Sequence, residues 1–365
     1  MKKLYIHIGR AKTGTTALQN FMAANAGPLA AYGVKYADTG RFYTTHHPLA
    51  WSLHREANES CGGRYWPRAS RYARLEMEPA EYWAAMLREM NTSDHEAFVV
   101  SSEEFGVVLD LHLTAPLLAR HLKGVEVYIV VYFRRQDEFL QSVYNQAVKG
   151  EEDRFTGSFW DYVNPILEVG GADCMKVVSP LAKAFGEDRI IVRVYEKEQL
   201  KATIFDDFLS VFGIESGDGF TQIERVQNPR LSPELLSVIR KMNRIPMAAT
   251  VRHRLLGMLI ERYPRTRTFS SHGVLSPVNR LQLLERFRES NAKVARTYLG
   301  RADGRLFLAP EPDPNEPFRE VAFSTEEALD TVTDLWAEYA FLQRVNDKEE
   351  TQLVQERNVW SEKKQ

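Results

Sequence analysis

The chain has 365 residues, 44% of them hydrophobic, with Lys+Arg 47 against Asp+Glu 49 and a formal net charge of -2. That is enough apolar material for one large α/β domain with elaborations or two modest ones, and it excludes the global basic field that drives non-specific nucleic-acid binding, so any anion site must be local. Cys61 and Cys174 are the whole cysteine complement; so far apart, they indicate neither a disulfide framework nor a zinc site and fit a reducing, cytoplasmic setting.

The opening Met-Lys-Lys leads into an alternating apolar segment, Leu4–Ile8, read as a strand and too short and polar for the apolar region of a signal peptide. A glycine-bearing loop follows, and then Leu18, Phe21 and Met22 at helical spacing predict a helix over Thr16–Asn25. The long segment Tyr36–Met90 is dense in aromatics (Tyr43, Trp51, Tyr65, Trp66, Tyr72, Tyr82, Trp83) and in arginines (Arg55, Arg64, Arg68, Arg71, Arg74). So long an insertion reads as functional or as a packed subdomain.

Ala97–Ser101 and Val125–Phe133 are further apolar strands. The second is far short of the roughly 20 residues that cross a bilayer, so no transmembrane anchor is expected. Gln136–Lys149 reads as a helix through Phe139, Leu140, Val143 and Val148; Arg189–Tyr195 is a strand, and Ile204–Phe212 a helix. From Ser232 the pattern is helical and predicts a cap over about residues 230–300; Pro310–Pro317 reads as an extended linker, Thr325–Val345 as an amphipathic helix, and Asn346–Gln365 as a charged tail. Strands alternating with helices predict an α/β, three-layer P-loop-like fold: a mostly parallel sheet flanked by helices, within a domain over 1–310, and a C-terminal helix within 311–365.

The run Gly9-Arg10-Ala11-Lys12-Thr13-Gly14-Thr15-Thr16 between a strand and a helix aims backbone N–H groups and a helix dipole at an anion. A nucleotide triphosphatase loop carries its lysine directly after the second glycine. Here Thr15 occupies that place and Lys12 lies two residues before Gly14, at the crest of the loop. Lys12-Thr13-Gly14-Thr15-Thr16 after a strand resembles the 5′-phosphosulfate-binding loop of sulfotransferases that use 3′-phosphoadenosine 5′-phosphosulfate (PAPS). The resemblance implies that the amides of Thr13 to Thr16 and the hydroxyls of Thr15 and Thr16 hold the 5′-phosphate, while Lys12 stabilises charge on the bridging oxygen. Cytosolic members of the family place a tryptophan after the second threonine to stack on adenine; this chain has Ala17, so stacking must come from elsewhere.

Arg134 ends the third strand, where open α/β sheets place ligand crevices, and Ser142 lies about 9 Å along the following helix. One phosphate bridges such a pair, although the residues alone also read as a helix N-terminus with solvated charge. The spacing resembles the family's 3′-phosphate motif. Val194-Tyr195-Glu196 resembles the family's later strand end, implying that Tyr195 approaches the base; a tyrosine capping the strand at a core edge is the other reading.

Transfer to a hydroxyl needs a proton acceptor. Glu103, just past Ala97–Ser101, occupies a position similar to the glutamate base of glycan-modifying sulfotransferases, and an N-terminal helix carboxylate is the competing reading. His47, with His46, is the rival base or a surface pair, and His7 reads as structural. The expected reaction is therefore sulfuryl transfer from PAPS, without a metal, to a hydroxyl or amine of a small-molecule or glycan acceptor, a glycan or glycolipid being suggested by the composition of the insertion. A Mg-dependent P-loop kinase or nucleotide triphosphatase is the alternative, against which no aspartate ends Ala97–Ser102 or Val125–Phe133. A non-catalytic nucleotide-fold binding module is a third reading. The sequence leaves the oligomeric state open, a homodimer included.

Overall fold

The computed structural model describes residues 2–10, 12–62, 75–107, 111–151, 153–215, 219–223, 231–262, 274–318, 333, 336–337 and 339–341. The chain divides into two compact units, one of Met1–Val143, Trp160–Asn228 and Val278–Pro314, the other of Tyr144–Phe159, Pro229–Pro277 and Asn315–Gln365.

The first unit is built on β1 (Lys3–His7), β2 (Val34–Tyr36), β3 (Ala97–Ser101), β4 (Glu126–Phe133) and β5 (Ile190–Val194). They form one sheet in the order β2-β3-β1-β4-β5, and every pairing is parallel. Parallel neighbours need crossovers, and helices supply them: α1 (Thr15–Ala24), α2 (Ala26–Ala31), α3 (His47–Ser60), α4 (Pro79–Thr92), α5 (Leu111–His121), α6 (Gln136–Lys149), α7 (Phe159–Glu168) and α8 (Cys174–Phe185), with α9 (Ile204–Leu209) following the last strand. Later come α10 (Pro233–Met242), α11 (Ala249–Arg262), α12 (Pro277–Glu285) and α13 (Arg288–Leu299).

Alternation along β1 sorts the layers. Leu4 and Ile6 join Phe98, Val100, Ile129 and Val131 on a face covered by α3, α4, α5, α8 and α13, through Leu53, Met86, Leu118, Val178 and Val294. Tyr5, with Val99, Val130 and Tyr132, faces α1 and α9 through Leu18, Phe21, Phe205 and Phe208. Burial on both faces explains why β4 is a continuous apolar run instead of an alternating one.

The expected strands and helices appear with ends shifted by a residue or so, and Ile204–Phe212 ends in a 3-10 turn from Ser210. The edge strand β2 is an addition, since three residues are too few to show a period. Helices α3 and α4, inside the segment read as an insertion, bury Leu49, Leu53, Tyr82, Trp83 and Met86 in the main core. The arginines at 64, 68, 71 and 74 and the aromatics at 65, 66 and 72 lie outside the described residues. So do the tail after 345 and most of Thr325–Val345, of which 333, 336, 337 and 339–341 are helical, while 310–318 has neither helix nor strand. No described helix is long and apolar enough to cross a membrane.

In the second unit, Arg252 is 1% exposed and donates to the carbonyls of Val148 at 3.3 Å and Lys149 at 3.1 Å. It also pairs with Glu151 at 2.7 Å. A cation thereby satisfies the carbonyls that end α6.

Asp137, at the start of α6 and fully buried, binds Arg135 at 2.8 Å and Arg280 at 2.7 Å. Arg135 also donates to the carbonyl of Pro310 at 2.7 Å, tying the chain after α13 to the start of α6. Burial alone would raise the Asp137 pKa, but the two arginines outweigh it and hold it below the usual carboxylate value. Asp137→Ala leaves Arg135 buried without its partner and is expected to cost about 3–5 kcal/mol in urea unfolding. A carboxylate with a lowered folded pKa stabilises above its unfolded value, near 4. In the wild type this contribution is therefore lost as the pH falls through the folded pKa.

Candidate functional site

The loop between β1 and α1 is folded about one acceptor. The Arg10 carbonyl receives the Thr13 N–H at 3.3 Å, the Thr13 hydroxyl at 2.7 Å and the Thr15 hydroxyl at 3.2 Å. The Arg10 side chain is itself pinned, donating to the Gly171 carbonyl at 2.5 Å and lying 4.8 Å from the Phe139 ring centroid. Two backbone features then set the crest: Lys12 adopts φ 68° and Gly14 φ 79°, both left-handed. Gly9 packs so tightly that an added Cβ would lie 2.3 Å from Thr15 Cγ2 and 3.1 Å from Glu103 Cγ. The Thr15 hydroxyl proton is thus committed to the loop, while Thr16 is exposed on the first turn of α1. Gly14 caps α1 without a side-chain hydrogen bond, so the first-turn amides and the positive end of the helix dipole are available to an anion.

Arg134, one residue beyond β4, reaches this crest. Its guanidinium donates to the Lys12 carbonyl at 3.3 Å, pairs with Glu138 at 3.0 Å and lies 6.0 Å from the Tyr195 ring centroid. Tyr195 continues β5 by donating its N–H to the Phe133 carbonyl at 2.7 Å, and its ring sits over Gly14, 3.2 Å from where a Cβ would stand. Glu103 begins a single 3-10 turn, Glu103–Gly106, beside Gly9. Lys12, Gly14, Glu103, Arg134 and Tyr195, distant in sequence, therefore meet at the C-terminal ends of β1, β3, β4 and β5.

Ser142 is half-buried on α6, one helical turn past Glu138 and so on the same face as the carboxylate that holds Arg134. His47 begins α3 and contacts the Ser102 hydroxyl through Nδ1 at 2.7 Å. Ser102 also accepts the Glu104 N–H at 3.1 Å, which links His47 to the turn carrying Glu103. His46 is different: its Nε2 contacts the Ala37 carbonyl at 2.9 Å and its Nδ1 accepts the Ser101 N–H at 3.1 Å. Both ring nitrogens are used and the ring is fully buried, which makes His46 a strut between β2 and β3. His7 is likewise buried, bonded to the Ser101 hydroxyl at 2.8 Å.

Desolvation dominates the electrostatics. Burial lowers the Lys12 pKa, with Arg134 reinforcing and Glu103 opposing. Burial raises the Glu103 pKa, helped by Glu104 and opposed by Lys12. The ammonium is thus made a readier proton donor and the carboxylate a readier acceptor. Among the described residues no group of three or more His, Cys, Asp or Glu is placed to hold a metal ion.

Ser102 and Glu138 escape sequence reading, and Gly9 and Arg10 are legible there only as members of the loop, without their individual roles. Only Glu138 left a signal, its i,i+4 spacing from Arg134. The others act through tertiary contacts that no spacing encodes.

No family model matches the sequence. The chain is 32% identical over 209 residues to an uncharacterized protein of Archaeoglobus fulgidus. That match covers 55% of this chain and 54% of that protein, so the chain spans about half the length of the curated relative it matches. Among solved structures it is similar to a sulfotransferase from Alicyclobacillus acidocaldarius at a TM-score of 0.40 and 14% identity, covering 74% of this chain and 98% of that one.

The two buried histidines give the site a pH signature. Burial lowers both His7 and His46 from 6.5 to about 4, the latter despite its bond to the Ala37 carbonyl. Between those values the unfolded chain binds protons that the folded chain refuses, so each histidine stabilises above pH 6.5 and loses that contribution toward pH 4. Unfolding free energies from urea titration are expected to fall over this window, by up to about 1.4 kcal/mol per pH unit for each histidine; a flat profile would contradict their neutral burial.

Proposed function

We propose that this chain transfers a sulfuryl group from PAPS to a hydroxyl or amine of an acceptor, with a glycan or glycolipid as the acceptor class. The observation that carries the reading is the meeting of Lys12, Arg134 and Glu103 at an uncapped helix N-terminus.

An anion fits these residues. The amides from Thr13 to Thr16 and the Thr16 hydroxyl would hold the 5′-phosphate, and Arg134 with Ser142 the 3′-phosphate. Glu138, now paired with Arg134 at 3.0 Å, stands where that second phosphate would compete for the guanidinium. Tyr195, lying over Gly14, flanks the phosphate loop. Bound there, the donor supplies the electrophilic sulfur. The chain supplies the rest: Lys12 Nζ offers positive charge at the crest, and a Glu103 carboxylate oxygen takes the acceptor's hydroxyl proton. A raised pKa suits Glu103 to that task, because a carboxylate of ordinary acidity is a poor base. His47 bears on the same end of β3 through Ser102, as a second proton-accepting group or as a support for the turn that carries Glu103.

Calorimetric titration with adenosine 3′,5′-bisphosphate in EDTA tests the donor site. Arg134→Ala is expected to weaken binding roughly 10- to 100-fold, the scale of one charge-assisted hydrogen bond. Glu103→Gln should bind as the wild type does but turn over about 100- to 10,000-fold more slowly. No binding by the wild type, or binding only of ATP with Mg²⁺, would overturn the reading.

A further inference from the structure

We propose that the hairpin at residues 42–45 is the acceptor-docking element of this site, its Phe42 and Tyr43 stacking on a hydroxyl-bearing ring and guiding it toward Glu103. The proposal rests on the sulfuryl-transfer reading for its chemistry, but its observations are independent of the phosphate loop.

Phe42 donates its N–H to the Thr45 carbonyl at 2.7 Å and accepts the Thr45 N–H at 3.1 Å, closing a tight two-residue hairpin. Its first central residue, Tyr43, sits at φ 54°, a conformation that favours glycine and is strained for a bulky residue. That strain is not offset by burial, since Tyr43 is 86% exposed and Phe42 is 42% exposed. The chain thus holds two large rings in solvent on a turn that a smaller residue would make better.

The hairpin is firmly placed. The Tyr36 hydroxyl donates to the Thr44 carbonyl at 2.6 Å. The Thr44 hydroxyl donates to Asn20 Oδ1 at 3.0 Å, and Asn20 lies one turn past Thr16 on the same face of α1. A path of rings runs inward from the tip. The Tyr43 and Phe42 centroids are 4.7 Å apart, Phe42 and Trp51 are 6.5 Å apart, and His47 stacks on Trp51 at 5.5 Å and 28°. His47 meets Ser102, the neighbour of Glu103.

Exposed aromatic faces on an anchored, strained turn suit a six-membered ring with apolar faces and polar edges. The occupant is a pyranose, whose C–H face stacks on an aromatic ring while its hydroxyls stay in water, and a phenol is the rival that the test excludes. Saturation-transfer NMR with 4-nitrophenyl β-D-glucopyranoside separates them, because the probe carries both rings and the saturated protons identify which one stacks.

The decisive variant is Tyr43→Gly, which removes the ring and relieves the backbone. It is expected to melt at or above the wild-type temperature and to bind adenosine 3′,5′-bisphosphate as the wild type does. It should lose saturation transfer to the probe and raise the acceptor KM roughly three- to tenfold, the scale of one aromatic contact. Tyr43→Phe should rescue the KM. Undiminished transfer in Tyr43→Gly, or none to the wild type, overturns the docking element. Loss of ring binding in a chain that never binds the bisphosphate would keep the docking element and remove the sulfuryl donor.

Discussion

A single carbonyl organises the candidate site. The Arg10 oxygen accepts from Thr13 twice and from Thr15 once, and these bonds turn the chain sharply enough for Lys12 to stand at the crest and Gly14 to start the helix. Gly9 allows the turn because nothing larger than hydrogen fits against Thr15 and Glu103. The Arg10 guanidinium, held by the Gly171 carbonyl and the Phe139 ring, then fixes the turn to the layer carrying α8. Loop shape, helix cap and lysine placement all depend on that one backbone oxygen.

A chain of formal net charge -2 gathers local positive charge at the candidate site. Charge comes from two cations, Lys12 and Arg134, and from partial charges on amides, and it acts in a partly desolvated crevice where each unit counts for more than it does in water. Desolvation also sets the acid-base character: the same burial lowers Lys12 and raises Glu103. Neither shift requires an unusual partner, only a crevice at the strand ends that excludes water.

Much of this was legible before any coordinates. The four longer strands are apolar runs, and the lysine two residues before Gly14 marked the loop. Arg134 was findable as the polar residue that ends an apolar strand. What stayed hidden has physical reasons. β2 is too short to show a period. Helices α5, α7 and α8 carry Pro116, Pro165 and Pro180 inside them, residues that read as breaks. His46 and His47 are adjacent and identical in type, yet one is a buried strut and the other half-buried at a helix start; only the register of β3 decides between them. Arg10, in a sequence a solvated charge, is a buried anchor.

The position of β1 in the sheet has a consequence for assembly. It is the middle strand, flanked by β3 and β4, and the site draws one residue from the end of each neighbour and another from just past β5. Residues 9–16 are made before the surfaces that shape them, which arrive only after residues 103, 134 and 195 have been made. The candidate site is therefore a late product of long-range closure, the slow kind of folding step. Until then the nascent chain exposes an apolar β1 with both edges unpaired, so a helper that shields strand edges would act at this stage.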